Sequence, residues 1–444
     1  MNIKLPDEVQ YIIDTLRRNG HEAYIVGGCV RDSVLGRTPK DWDICTPALP
    51  EQTMACFDGH HIIETGLRHG TITLMLNHTP FEITTYRTDG KYSDNRRPDT
   101  VEFVSSLKDD LSRRDFTVNA MAYAPDEGIV DFFDGLKDLK SGTIRCVGDA
   151  NRRFQEDSLR IMRAIRFASV LGFSIEENTA KAMEDNRGLL KNIAAERIAV
   201  ELNKTLTGNN VSDILLAHLP VMTEIIPEMS SMIGFEQNNT HHCYDVLRHT
   251  LVSIDHALKD TILRLTMLFH DMGKPLCYTE TEDGIGHFYG HPQISSDMAK
   301  EILLRLKYDN NTLKTVPELI LYHDTEILPH RKYVKRWLNK IGEERFRQLI
   351  EVKRADAMAQ APCYQQRKLE ALAELTRLTD EIIGQGQCFS LRDLAVTGRD
   401  LLEAGVGEGV QIGAVLNRLM EMVIDEQVEN EKEALLRVFK EEKF

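Results

Sequence analysis

The sequence predicts an α+β chain, a small β-sheet head followed by helical modules. Three observations predict it. Short strand-like runs at 22–26, 41–45, 71–76, 81–86 and 101–104 all fall near the start of the chain, and the turns between them hold Gly, Pro, Asn and Asp. From about residue 144 onward, apolar residues recur at three- and four-residue spacing, the period of an amphipathic helix. Most of the histidines, at 241, 242, 249, 256, 270, 287, 291, 323 and 330, crowd into one stretch of that helical part. Strands gathered at one end and helices at the other make an α+β arrangement, not an alternating βαβ one.

In chain order, Val9, Ile12, Ile13 and Leu16 give residues 6–19 one apolar helical face. The five strand runs follow and form the head. Helices are then expected over 160–167, over 194–206 and in the segments after 240. The chain has no internal repeat, low-complexity segment or Pro-rich linker. Its 444 residues suffice for two to four domains. A hydrophobic content of 42% and a charged content of 28% fit a soluble globular protein, and no apolar run nears the roughly 20 residues of a membrane span. The start, MNIKLPDEVQ, lacks the basic and apolar regions of a secretion signal. Eight scattered cysteines without a CxxC pair read as reduced thiols, so a cytoplasmic location is expected. A net charge of −15 argues against a nonspecific nucleic-acid coat but allows a local basic path. Candidates for that path are Arg17-Arg18, Arg96-Arg97, Arg113-Arg114, Arg152-Arg153 and the cluster Arg331, Lys332, Lys335, Arg336, where Tyr333 and Trp337 could stack on bases.

The chemistry is concentrated in three short segments. In Gly27-Gly28-Cys29-Val30-Arg31-Asp32, running into Asp41-Trp42-Asp43, two glycines let the backbone approach a triphosphate, and Arg31 can help to cradle it. Arg31 could equally pair with Asp32. Asp41 and Asp43, at i and i+2, would leave one face of a strand and share a pair of Mg²⁺ ions, as metal-dependent nucleotidyl transfer requires. Glu82 in FEITTYR is the expected third carboxylate, on a neighbouring strand; its alternative is a plain surface carboxylate. Asp157 and Arg160, at i and i+3, would set a carboxylate beside a guanidinium on a helix. An acceptor next to a donor suits the pairing edges of cytosine and adenine and mismatches those of uracil and guanine. The alternative is an ordinary helical salt bridge.

GGCVRDSVLGRTPKDWDICT, FEITTYRTDGKYSDNRRPDTVEFV, DDLSRRDFTVNAMAY, VGDANRRFQEDSLRIMRAIRFASVLGF and AAERIAVEL follow one another from residue 27 to about residue 202. In that order they resemble the class II tRNA nucleotidyltransferases, the CCA-adding enzymes, which share a superfamily with bacterial poly(A) polymerases. The resemblance implies a nucleotidyltransferase head over 1–143, an all-α neck with the nucleotide-template and RNA-binding helices over 144–225, an HD domain over 226–360 and a tRNA-binding body and tail over 361–444. It implies template-independent addition of C, C and A to tRNA from CTP and ATP, with Asp157 and Arg160 as the base template. Arg113, Asp115 and Asn119 resemble the family's ribose-recognition motif, although Asp115 could simply cap a short helix. Residues 89–104 resemble the flexible loop of complete CCA-adding enzymes.

His270-Asp271 in MLFHDMGKP resembles the HD phosphohydrolase signature. The resemblance implies one divalent transition metal held by His249, His270, Asp271 and Asp356, with His291 and His323-Asp324 as extra candidates if the site is dinuclear. A retained fold without hydrolysis is the alternative. Other readings of the whole chain are a poly(A) polymerase, a partial CC- or A-adding enzyme, an HD phosphohydrolase with an RNA-binding N-terminal half, and a tRNA-binding protein without activity. No membrane and no obligate protein partner is expected.

Overall fold

The structure is a computed structural model and describes residues 2–90, 100–405 and 410–442. The chain divides into two units, Met1–Pro227 and Glu228–Phe444.

The first unit opens with helix α1 (Asp7–Arg18), which buries Val9, Ile12, Ile13 and Leu16. Acidic residues in its first turn and arginines in its last complement the helix dipole. A seven-stranded sheet follows, of β1 (Tyr24–Val26), β2 (Asp43–Thr46), β3 (His61–Ile63), β4 (Thr71–Leu76), β5 (Thr79–Thr85), and the later β8 and β9; a separate hairpin pairs β6 (Arg87–Asp89) with β7 (Val101–Phe103). β8 (Met121–Ala124) and β9 (Gly128–Asp131) complete the order β3-β4-β5-β2-β1-β8-β9. Within this sheet β2 and β5 run parallel, and the other neighbours are antiparallel.

Two features depart from the expected pattern. β2 begins at Asp43, so Asp41 belongs to the loop before it. β8 reads MAYA, with no β-branched residue; all four side chains are buried, and packing decides the conformation there. The β6–β7 hairpin flanks the expected loop, whose residues 91–99 lie outside the described residues.

Helices α2 (Gly28–Val34), α3 (Pro50–Cys56), α4 (Leu107–Ser112) and α5 (Gly135–Ser141) flank the sheet strands in sequence. A short parallel pair, β10 (Thr143–Ile144) with β11 (Ser174–Ile175), brackets α6 (Ala150–Glu156) and α7 (Leu159–Leu171). α8 (Glu177–Asn186), α9 (Ala195–Leu206), α10 (Val211–Ala217) and α11 (Leu219–Ile225) close the unit.

The second unit is helical apart from one two-stranded ladder. Asp245 and Asp260 accept backbone N–H groups at the starts of α12 (Val246–His256) and α13 (Thr261–Phe269). α13 buries Leu263, Leu265, Met267, Leu268 and Phe269, as a helix through the middle of a core must. The ladder pairs β12 (Thr279–Glu280) with β13 (Gly286–His287). α14 (His291–Arg305), α15 (Asn310–Tyr322), α16 (Arg331–Met358), α17 (Pro362–Gly384), α18 (Gly398–Glu403), α19 (Val410–Ile424) and α20 (Lys432–Glu442) follow. α16 is two helices joined at Gly342, whose φ of 79° breaks the helical ladder. A local core of Leu394, Val396, Leu401, Leu419 and Leu435 closes the C-terminal end. Among the described residues no helix is long and apolar enough to cross a membrane.

Candidate active site and candidate metal centre

In the first unit the parallel pairing of β2 with β5 sets Asp43 opposite Glu82. Partners in register leave one face of a sheet, so the two carboxylates meet. Asp43 is solvent-accessible yet recessed. Surrounding protein pushes its carboxyl above the usual range, the Arg114 guanidinium opposes that shift, and the charges of Glu82 and Asp41 add to it. Three carboxylates thus gather at one edge with mutual repulsion, which is the donor set a divalent cation relieves.

Arg114 was not among the expected site residues. Its guanidinium is within 3.5 Å of Asp110, and a Cβ built on Gly27 would come within 2.8 Å of its Nη1. Gly27 also has a φ of 77°, so both its conformation and this close approach exclude a side chain. Gly28 is under no such constraint, because a Cβ there would meet only the Arg31 side chain at 3.7 Å. Arg113, the expected ligand, turns elsewhere. It donates to Asp110 at 2.7 Å and to the Arg87 carbonyl at 3.0 Å. The signal was present in the sequence: Asp110 lies three and four residues before the two arginines, the spacing that brings side chains together across a helical turn.

Arg31, Asn119 and Asp115 form one continuous chain of bonds. Arg31 donates to Asp32 at 2.9 Å and to Asn119 Oδ1 at 2.6 Å. Asn119 donates to Asp115 Oδ1 at 3.1 Å, and Arg163 closes on Asp115 Oδ2 with two bonds of 2.9 and 2.5 Å. Burial opposes ionisation of Asp115, but Arg163 and Asn119 hold its carboxyl well below the usual range. In this structure Arg31 is therefore a partner of Asp32 and Asn119, and Asp115 is the buried node that ties α2 to α7.

The expected helical pair Asp157 and Arg160 is corrected by the backbone. α6 ends at Glu156, Asp157 is extended (φ −134°, ψ 102°), and α7 starts at Leu159. The two residues span a junction between helices. Arg160 is buried and donates to Glu156 at 2.9 Å and to the carbonyls of Arg153 and Arg113 at 3.1 and 3.0 Å. Asp157 accepts from the Leu159 N–H at 3.1 Å and faces Arg197 at 3.7 Å. Burial raises its carboxyl, while Arg197 and Arg160 oppose the rise as nearby charges.

In the second unit five helices bring candidate metal ligands to one buried point. His249 comes from α12, His270-Asp271 from the end of α13, His291 from the first residue of α14, His323 from the end of α15 and Asp356 from α16. His249 Nε2 is 2.9 Å from Asp356 Oδ1 and 3.5 Å from Asp271 Oδ2, and His270 Nε2 is 3.2 Å from Asp271 Oδ2. On the other Asp271 oxygen, His291 and His323 approach to 3.4 and 3.7 Å. Two triads, His249–His270–Asp271 and Asp271–His291–His323, therefore share Asp271. Asp324 lines the same cavity and belongs to neither triad.

Each of the four imidazoles places Nδ1 against a backbone carbonyl, of Ala359, Met267, Phe288 and Ile320 at 2.6–3.2 Å. An Nδ1–H donated outward leaves a bare Nε2 lone pair facing inward, the tautomer a metal ligand needs. The buried His270 Nε2 makes no hydrogen bond and only approaches Asp271 at 3.2 Å and Asp356 at 3.7 Å, and a divalent cation fits between that nitrogen and the two carboxylates. Against the cost of burial, the charges of Asp271 and Asp356 push His270 up to about 10.

The basic cluster of α16 is not a free cationic patch. Arg331 pairs with Glu381, Lys332 and Arg336 pair with Asp425, and Lys335 is buried. Glu381 of α17 and Asp425, just past the end of α19, neutralise the run, and Trp337 packs on Tyr322 and Phe346. These side chains tie helices together through ion pairs.

Comparison with known proteins places the chain in a family. Residues 23–145 match the poly(A) polymerase head domain, residues 172–233 the RNA and SrmB binding site of polymerase A, and residues 279–439 domain 2 of tRNA nucleotidyltransferase. A CCA-adding enzyme of Levilactobacillus brevis is 35% identical over 443 residues, covering 97% of this chain and 98% of the relative. One from Leuconostoc mesenteroides is 49% identical over 215 residues, 48% of this chain and 53% of the relative. The crystal structure of the Bacillus stearothermophilus CCA-adding enzyme in complex with CTP superposes with a TM-score of 0.74 at 28% identity, over 99% of this chain and 98% of that one. Family members of this kind use divalent metal, which agrees with the carboxylate edge of β2 and β5. With a relative aligned along nearly its whole length and a head built around Asp43 and Glu82, the chain belongs to the family of CCA-adding enzymes.

Proposed function

We propose that this chain adds C, C and A to the 3′ end of tRNA, using CTP and ATP. The observation that carries the reading is the group of carboxylates Asp41, Asp43 and Glu82, set against Arg114 in a chain that aligns with 98% of a family member. In each cycle the 3′ oxygen of the primer bonds to the α-phosphorus, the bond to the bridging oxygen breaks, and pyrophosphate leaves. Asp41, Asp43 and Glu82 would hold Mg²⁺, which when bound lowers the pKa of the attacking hydroxyl and stabilises the leaving group. Gly27 and Arg114 shape the floor beside Asp43, where a triphosphate approaches. The Asp115 node fixes Asn119 and Arg31 around the ribose and phosphate position. Asp157 holds one backbone N–H and one distant arginine, so its carboxylate keeps acceptor capacity for the exocyclic amine of cytosine or adenine. Arg160 is held in one plane by three acceptors and sets the donor side. A cytoplasmic location agrees with eight free cysteines and a tRNA substrate.

Incorporation of labelled CTP and ATP into tRNA ending at the discriminator base, and into tRNA ending in CC, tests this. Both nucleotides should enter, in the order C, C, A, and then stop. Runs of A alone would mark a poly(A) polymerase. Asp43→Ala should lower both incorporations by more than tenfold, because losing the metal ligand removes several kcal/mol of transition-state stabilisation, of order 3 kcal/mol or more.

The inward-facing imidazoles favour a second reaction in the other unit, metal-dependent hydrolysis of a phosphoester. His249, His270, Asp271, His291, His323 and Asp356 would hold one or two divalent transition-metal ions, with Asp271 serving both positions. Lys274, bonded to Asp271 at 2.7 Å and to Gln237 at 2.8 Å, adds the positive charge a phosphate requires.

A further inference from the structure

The two carboxylates of the candidate metal centre are held differently. Asp271 turns both oxygens to imidazoles: Oδ2 lies 3.5 Å from His249 and 3.2 Å from His270, and Oδ1 lies 3.4 Å from His291 and 3.7 Å from His323. Asp356 turns only Oδ1 inward, 2.9 Å from His249 Nε2 and 3.7 Å from His270 Nε2. Its other oxygen, Oδ2, accepts a bond of 2.8 Å from the Gln360 amide nitrogen. Gln360 is 6% exposed and lines, with Asp271, His291, His323 and Asp356, a cavity of about 710 Å³. Its amide oxygen accepts from Lys368 Nζ at 2.6 Å. Chemistry fixes which way round the amide lies. An ammonium only donates and an ionised carboxylate only accepts, so the amide oxygen faces Lys368 and the nitrogen faces Asp356.

The backbone puts Gln360 there. It follows Asp356 by about one helical turn and belongs to the joint of residues 359–361, between the end of α16 and the start of α17. Each residue of that joint serves the centre or its mouth. The Ala359 carbonyl takes His249 Nδ1 at 3.2 Å, and the Ala361 N–H donates to the carbonyl of His241, which lines the cavity, at 2.9 Å. α17 locks the joint from its far side. Gln365 Nε2 donates to the carbonyls of Met358 and Gln360 at 3.1 and 2.8 Å, and the Tyr364 ring packs on His241 with centroids 4.1 Å apart. Gln360 is thereby pinned at its backbone and at both ends of its amide, and Asp356 Oδ2 is kept occupied.

A ligand carboxylate oriented by an outer hydrogen-bond partner offers its free oxygen in one direction, and such partners are worth about 10- to 100-fold in metal affinity. A carboxylate with both oxygens free can clasp an ion with both, which suits Ca²⁺, a large cation that takes about 6 to 8 oxygens in flexible geometry. Imidazoles beside a one-oxygen carboxylate suit a transition metal. We infer that Gln360 and Lys368 are positioning residues of this centre: they hold Asp356 as a one-oxygen ligand and so favour a transition-metal ion over Ca²⁺. The inference rests on the metal-dependent reading of the second unit given above and adds what sets its choice of ion. Lys368 is exposed on α17 and acts through the Gln360 amide.

The test is equilibrium dialysis of the full chain against Co²⁺, with Ca²⁺ measured by competition. Binding to the His270→Ala protein is subtracted as the share of the first unit. Wild type should bind Co²⁺ above that baseline and prefer it to Ca²⁺. Gln360→Ala should weaken Co²⁺ by at least about tenfold and leave Ca²⁺ within about twofold, so the Co²⁺/Ca²⁺ preference falls by about fivefold or more. Lys368→Met, a change at the surface that spares the core, should shift both readings in the same direction, and Lys368→Arg, which keeps the donor, should restore them. Gln365→Ala removes the two carbonyl bonds of the joint and leaves the amide relay, so it should bind both ions as wild type does. Circular dichroism and thermal melts report the folding of each variant. Folded Gln360→Ala and Lys368→Met proteins with wild-type Co²⁺ affinity, or a Gln365→Ala protein that loses as much as Gln360→Ala, overturn the positioning role and leave the metal reading intact. Co²⁺ and Ca²⁺ weakened by equal factors overturn the choice of ion. Wild type that binds no more Co²⁺ than His270→Ala overturns the metal reading and this inference with it.

Discussion

Asp115 shows how one residue can join a sequence motif to stability. It lies in the run expected to recognise ribose, and the structure gives it a Phe116 N–H at 2.8 Å, the Asn119 amide and two bonds from Arg163. Replacing it with Asn keeps the shape but leaves a guanidinium without its buried counter-charge, at a cost of roughly 3–5 kcal/mol. The pH dependence follows from the direction of its shift. The folded carboxyl titrates below its unfolded value of about 3.9, so its stabilising charge is fully present above that value. The contribution fades as pH falls through the lower, folded value. Urea denaturation should therefore show wild type more stable than Asp115→Asn by a constant margin from about pH 8 to about pH 5, narrowing below about pH 4. A margin that widened on acidification would show that Asp115 is not held as an anion.

At the scale of elements, the head illustrates what spacing alone conveys and where it stops. Alternation placed Glu82 on a strand beside Asp43, and the register between β2 and β5 places them as partners. The same rule put Asp41 on that strand, but β2 starts later, because pairing with β1 reaches only to Asp43. A one-dimensional period cannot tell where a neighbouring strand ends. The Asp157–Arg160 spacing failed for a related reason: nothing local announces that α6 stops at Glu156, where Asp157 turns its carboxylate onto the Leu159 N–H and opens the next helix. His249 and Asp356 lie far apart in sequence yet 2.9 Å apart in space, and the resemblance, not periodicity, linked them. The junction also sorts the two template candidates. Arg160→Ala removes three buried bonds and should weaken the fold together with the rate. Asp157→Ala removes one acceptor at the surface of the junction. It should reduce the CTP/UTP incorporation ratio by at least about tenfold, the equivalent of roughly 1.4 kcal/mol, as the loss of a charge-assisted bond implies. Single-nucleotide incorporation with all four NTPs measures this, and unchanged ratios would make Asp157 a helix-junction residue only.

At the scale of the molecule, the two proposed chemistries would occupy two units. Asp41, Asp43 and Glu82 lie in Met1–Pro227; the histidine triads and their cavity lie in Glu228–Phe444. The metal-binding chemistries also differ. Oxygen donors at the head suit a hard ion such as Mg²⁺, whereas imidazoles with two carboxylates suit a transition metal. Separate ligand sets imply separate failures. His270→Ala should abolish metal-dependent phosphoester hydrolysis and lower the transition metal retained after dialysis, with CTP and ATP incorporation within about twofold of wild type. Asp43→Ala should do the reverse, and circular dichroism should show both variants folded. The structural reason is that His270 touches Met267, Asp271 and Asp356, all within the second unit, and Asp43 is paired with Val26 and Glu82, both within the first. A folded His270→Ala protein that had also lost incorporation would mean that the metal centre supports the transferase, and the two reactions would then have to be treated as one coupled device.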